Sequence, residues 1–184
     1  MVVSKVSAPD LSGADTLYGE RGEAVISEYR YSDEYVAPVQ DSDVRAFLTN
    51  FGLPSISGIF VAREASGGTI GEDGGNALLQ IGVVSETTDV GMYYVHHATG
   101  AVHYIDHDSA SQVYVNASPR LFAECLLAFD SKTSVPAEMS DPEEASRLLE
   151  AIISDLDPSA LADDERYWRS LLDDVAVGDY TDDD

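Results

Sequence analysis

The densest run of strand-forming side chains lies between Gly91 and Asn116, and it sets the frame for the rest of the chain. Gly91 to His97 and Ala101 to Asp106 are rich in Tyr, Val and Ile, which suit a pleated, half-buried surface. Ala98-Thr99-Gly100 between them reads as a tight turn, with Gly100 at the left-handed position. Val113-Tyr114-Val115-Asn116 is a third strand. The period then changes from strand to helix. Ser118 is placed to cap a helix and Pro119 fits its first turn, where a missing N–H costs nothing. Leu121, Phe122, Cys125, Leu126 and Phe129 form the apolar face of that helix and should pack on the strands together with Leu79 and Ile81.

Elsewhere the pattern is broken into shorter pieces. Residues 1–16 are polar and are expected to be loosely ordered. Ala24 to Tyr31 reads as an edge strand. Asp41-Ser42-Asp43 opens a helix with Val44, Phe47, Leu48 and Phe51 on one face, and Gly52-Leu53-Pro54 ends it. Ile56 to Ala62 and Ala77 to Gly82 read as strands, joined by a glycine-rich loop from Ser66 to Gly75. Ser131 to Ser140 is a loop. Asp141-Pro142-Glu143-Glu144 starts a helix carrying Ala145, Leu148, Leu149, Ile152 and Leu156 on one side, and Asp157-Pro158-Ser159 breaks it. Ala162 to Val175 is a last helix that presents Tyr167, Trp168, Leu171, Leu172 and Val175 to the body of the domain. The expectation is one α+β domain over residues 17–177, a mainly antiparallel sheet of five to six strands packed by helices, followed by a disordered acidic tail, 178–184, with nothing to bury.

Composition adds one constraint. The 184 residues carry 34 acidic and 10 basic side chains, a net charge of −24, and only two of the basic ones are lysines. Seventeen of the acidic residues lie from Asp130 onward. Such a chain repels phosphates and anionic membranes and attracts basic partners, so neither nucleic acid nor membrane is an expected partner. The start lacks an apolar leader, and no run approaches the roughly 18 apolar residues of a membrane span, which places the protein in the cytoplasm. Cys125 has no partner for an internal disulfide and sits on an apolar helix face, as a core thiol does.

Candidate chemistry is thin. His96, His97, His103 and His107 cluster with Asp106 and Asp108. Along a continued strand, however, His103 and His107 would stand about 13 Å apart at ~3.3 Å per residue, too far to share an ion. Only His96 or His97 meeting His103 across the hairpin would begin a metal site. The glycine-rich loop lacks the Gly-Lys-Ser/Thr ending of a phosphate loop and carries Glu72 and Asp73 instead. No nucleophile elbow, metalloprotease helix or Cys-x-x-Cys pair occurs. No catalytic residue, metal ligand or cofactor is assigned, and the chain reads as a non-enzyme.

The segments Phe47-Leu48-Thr49-Asn50-Phe51-Gly52-Leu53-Pro54, Leu79-Gln80-Ile81-Gly82, Thr99-Gly100-Ala101-Val102 and Val115-Asn116-Ala117-Ser118-Pro119-Arg120-Leu121-Phe122 resemble, in order and spacing, the SUKH superfamily of bacterial immunity proteins, and most closely its fourth subfamily. The resemblance spans roughly residues 40 to 130. It implies an antiparallel sheet packed by helices and the neutralisation of a protein toxin from a polymorphic toxin system, without a defining catalytic residue.

Charge and resemblance together suggest a toxin with a basic surface, a nuclease or nucleic acid deaminase whose cleft attracts carboxylates. Two alternatives are a scaffold or regulatory module that binds a cellular protein, and a metal-dependent enzyme using the histidine hairpin. For the partner surface, Glu72, Asp73, Asp106 and Asp108 are the candidates, on two loops that would form one acidic rim if their strands were neighbours. The competing surface is the acidic C-terminal half, including Asp163, Asp164, Asp173 and Asp174.

Overall fold

The computed structural model describes residues 28–65, 69–70, 77–85, 91–109, 111–133, 141–162 and 167–180. The predicted loosely ordered start, and the tail from residue 181, lie outside them. Among the described residues eight strands follow in chain order: β1 Glu28–Tyr29, β2 Leu53–Pro54, β3 Val61–Ala62, β4 Thr69–Ile70, β5 Leu78–Val83, β6 Gly91–His96, β7 Val102–Asp106 and β8 Gln112–Asn116. The helices are α1 Asp33–Val36, α2 Ser42–Asn50, α3 Pro119–Thr133, α4 Pro142–Leu156 and α5 Tyr167–Val177, with a 3-10 turn at Pro158–Leu161 before α5.

The main sheet is antiparallel in the order β3-β5-β6-β7-β8, and β4 also pairs with β5. The predicted hairpin is its centre: Tyr93 pairs with Tyr104 and Val95 with Val102, with Gly100 at φ +72° in the turn. One face carries Tyr93, Val95, Val102 and Val115 into a core with Phe122, Leu126 and Phe129 of α3. Helix α3 starts as its residues predict, with the Ser118 hydroxyl accepting from the Leu121 amide at 3.3 Å. Asp41 caps α2 through the amides of Asp43 and Val44, and Asp141 caps α4 through those of Glu143 and Glu144.

Several expectations need correction. The strand expected over 24–31 is described only as Glu28–Tyr29, and it pairs with Leu53–Pro54 in a separate two-stranded sheet. Ile56 to Ala62 is a tight turn closed by an Ile56–Phe60 bridge, and only Val61–Ala62 joins the main sheet. Thr69–Ile70, expected in a loop, is a short strand. Leu121 is half-buried, although Leu79, Ile81, Phe122, Leu126 and Phe129 are core residues as expected. Leu148 points outward at 43% exposure, because Leu149 and Ile153 carry the inward face of α4. Tyr180, assigned to a tail with nothing to bury, instead packs its ring edge-on against Phe129 at 5.2 Å.

The C-terminal helices dock on the domain. Leu149 and Ile153 of α4 and Trp168, Leu171, Leu172 and Val175 of α5 belong to the same apolar core as the sheet. Asp157, expected only as a helix breaker, is 3% exposed and accepts from Asn116 Nδ2 and the Ala117 amide, both at 2.9 Å, and from the hydroxyl of Ser159. Burial opposes its charge. The Ser159, Ala117 and Asn116 donors outweigh that and hold its carboxyl below the ordinary value. Among the described residues no helix is long and apolar enough to cross a membrane.

Candidate functional site

The strand register decides how the acidic loops lie. Gly91 pairs with Asp106, whereas Leu78 pairs with both His96 and Ile70. Glu72 and Asp73 fall outside the described residues, but Ile70 and Leu78, which flank them, sit at the His96 end of the sheet. Asp106 is at the Gly91 end. Five residue steps along β6 separate those ends, about 17 Å at ~3.3 Å per step.

Asp106 ends β7, and one of its two carboxylate oxygens closes its own loop. That oxygen accepts from both the amide and the hydroxyl of Ser109, each at 2.8 Å. These two donors hold its carboxyl below the ordinary value, so it stays charged well into the acid range. Asp108 is exposed at the tip of that loop.

The histidines do not converge. His96 and His103 face each other across the hairpin with ring centroids 6.3 Å apart, but His96 Nδ1 accepts from the amides of Ala98 and Thr99 and so serves its own turn. His97 is pushed below its ordinary value by burial and then by neighbouring His96. His107 is exposed in the β7–β8 loop. Among the described residues no group of three or more His, Cys, Asp or Glu side chains could hold a metal ion. Cys125 is fully buried, and burial, chiefly, pushes its thiol up to about 12, so it is not poised as a nucleophile.

A feature that the one-dimensional reading missed lies at the Asp106 end. Tyr93, Tyr104, Tyr167 and Tyr180, with Gly58, Ile59, Val84 and Leu171 among other residues, line an open cleft of about 320 Å³. The Tyr93 hydroxyl donates to the Ile59 carbonyl at 2.8 Å and lies 2.5 Å from the hydroxyl of Tyr167. Tyr104 stands 5.2 Å from Tyr93 and 5.6 Å from Tyr167, ring to ring. Its ring lies directly over Gly91, where a Cβ would meet the Tyr104 hydroxyl at 2.1 Å. Tyr104, Tyr167 and Tyr180 are each only partly covered. Burial and then the Asp106 carboxylate push the Tyr104 phenol up, and burial followed by Asp174 and Asp179 does the same to Tyr180. Part of this was available in advance. A four-residue turn after His96 pairs Tyr93 with Tyr104, but nothing local marks Tyr167 and Tyr180 as their neighbours.

The family model described as SUKH-4 immunity protein matches residues 13–174, most of the chain, and the chain belongs to that family. The four segments carrying the resemblance all fall inside the match. No curated protein and no solved structure matches it.

Proposed function

We propose that this member of the SUKH-4 immunity protein family binds and neutralises a protein toxin through an acidic surface, and that the toxin is a nuclease or nucleic acid deaminase with a basic cleft. The single observation that carries the reading is the family match over residues 13–174. The net charge of −24 supports the second half, because an enzyme that grips phosphates presents a positive field that steers carboxylates toward it. Inhibition by occlusion needs no catalytic group on the inhibitor. The protein works in the cytoplasm, beside the toxin it meets, and needs no cofactor.

Of the four candidate aspartates and glutamates, Asp106 and Asp108 flank the tyrosine cleft's end of the sheet and are our first choice for partner contact. Glu72 and Asp73 form a second, separable contact. Coexpression with each toxin encoded nearby tests the function: growth should be rescued and a complex recovered with one of them. Failure with every neighbouring toxin would remove the reading.

A further inference from the structure

The cleft has a chemistry more specific than general acidity. Its wall is aromatic on the faces formed by Tyr104, Tyr167 and Tyr180, and among the described residues no Lys or Arg lines it. Two sets of carboxylates stand beside it from different parts of the chain. Asp106 follows Tyr104 on the same side of β7, while Asp174 lies one helical turn beyond Ser170 and Leu171 of the cleft wall on α5, and Asp179 precedes Tyr180. Among the described residues none of the three forms an ion pair. Its volume, about 320 Å³, is at the small end of ligand sites, roughly 300–1,000 Å³, which suits one long side chain and excludes a helix or strand.

We infer that this cleft is a socket for a single arginine side chain of the partner protein, held between the rings of Tyr104, Tyr167 and Tyr180 and the carboxylates of Asp106 and Asp174. The identity of the partner rests on the function proposed above; the chemistry of the socket does not. A guanidinium is planar, weakly hydrated and permanently charged, so it stacks on phenol rings while its edge donates to carboxylates. A lysine ammonium would share the charge but not the stacking. The phenols stay neutral at physiological pH, because burial raises all three and nearby carboxylates add to this at Tyr104 and Tyr180, so their ring faces remain available to a cation. An arginine anchored in an aromatic pocket and encircled by acidic residues is also the kind of contact that concentrates binding energy in an interface.

The test uses the full chain with tyrosine rings isotope-labelled, titrated with N-acetyl-arginine amide and followed by nuclear magnetic resonance. The ring signals of Tyr104, Tyr167 and Tyr180 should move together and saturate. N-acetyl-citrulline amide, equal in shape but uncharged, should bind at least about fivefold more weakly. The double change Asp106→Asn with Asp174→Asn keeps the turn acceptor at 106 and should weaken arginine binding about tenfold; Tyr104→Leu should do the same. Equal binding of the citrulline probe, shifts scattered over all tyrosines, or no shift at tens of millimolar probe would each overturn the socket. If a toxin is neutralised equally by wild type and by the Asp106→Asn, Asp174→Asn protein and the probe does not bind, the socket is wrong and the immunity reading stands. Arginine binding in the cleft without any neutralised toxin would have the opposite meaning.

Discussion

Trp168 Nε1 donates to Asn116 Oδ1 at 3.0 Å, while the other end of the same Asn116 side chain donates to the buried carboxylate of Asp157 at 2.9 Å. One fully buried amide thus ties the end of β8 to the C-terminal cap of α4 and to the indole of α5. Its Nδ2 also lies 3.6 Å from Cys125 Sγ on α3. The short Val115-Asn116-Ala117-Ser118-Pro119 run therefore does more than lead into a helix. It joins the apolar core in holding the two C-terminal helices on the sheet.

Removing that amide should be costly. Asn116→Ala leaves the Trp168 indole without its acceptor and strips one donor from a buried carboxylate, for an expected loss of about 3 kcal/mol. Urea unfolding of the variant measures it. A loss under about 1 kcal/mol would mean that water replaces the amide and that the helices are held by apolar contact alone.

Asp157 makes the same junction sensitive to acid. Its folded-state carboxyl lies below the ordinary value of 3.8, so its contribution is fully present above about pH 5 and is lost as pH falls through the folded value. The net charge of −24 acts in the opposite sense on overall stability, because charge lost on acidification relieves general repulsion. The informative quantity is a difference. Wild type should exceed Asp157→Asn in stability at neutral pH, and the gap should narrow below about pH 4. A gap independent of pH would remove Asp157 from the acid response.

Gly52 and Gly58 separate two causes of glycine preference. Both have positive φ, +81° and +77°. At Gly52 a Cβ would stand 2.2 Å from the Tyr29 carbonyl oxygen, whereas at Gly58 it would meet nothing within 4 Å. Gly58→Ala should cost only the left-handed strain, about 1 kcal/mol. Gly52→Ala adds a backbone collision that only separation of β1 from β2 relieves, and should cost at least about 2 kcal/mol more than Gly58→Ala in thermal or urea unfolding. Equal costs would show that the β1–β2 pair gives way freely.

How far the residues announce this architecture varies with the range over which each signal acts. The hairpin, α2, α3 and α4 follow from spacing, a cap and a turn glycine, all local. The strands at Glu28–Tyr29 and Leu53–Pro54 hold only two residues each and depend on each other, so neither has a period to detect. The docking of α4 and α5 has no local signal, because it draws on Asn116, Asp157 and Trp168, polar or aromatic residues far apart in the chain. The tyrosine cleft was hidden for the same reason: Tyr104, Tyr167 and Tyr180 meet only after α5 docks.

Phe122 and Leu121 test the helix face directly. Phe122 is fully buried, 5.0 Å from Phe60 and 5.5 Å from Tyr93 between ring centroids, and Phe122→Ala should cost about 3–5 kcal/mol. Leu121, adjacent in sequence but half-buried, should cost about 1–2 kcal/mol less when changed to Ala. Denaturation of the two variants side by side checks the order. A reversal would rotate α3 by a residue and dismantle the packing described for the core.

The last prediction separates the two acidic loops. Asp106 caps its own turn through an oxygen that asparagine retains, so Asp106→Asn with Asp108→Asn should leave the melting temperature nearly unchanged while removing charge from the Gly91 end of the sheet. Once a toxin partner is in hand, this pair should slow association and flatten its dependence on salt, since exposed charges act on encounter more than on the lifetime of a complex. Glu72→Gln with Asp73→Asn forms the comparison at the other loop. If both pairs slow association and their effects add, the toxin covers both loops. An effect from the Asp106 pair alone would confine it to the tyrosine cleft's end. No effect from either pair, with binding lost when Asp163, Asp164 and Asp173 are changed to Asn in a protein that remains folded, would move the interface to the acidic C-terminal half.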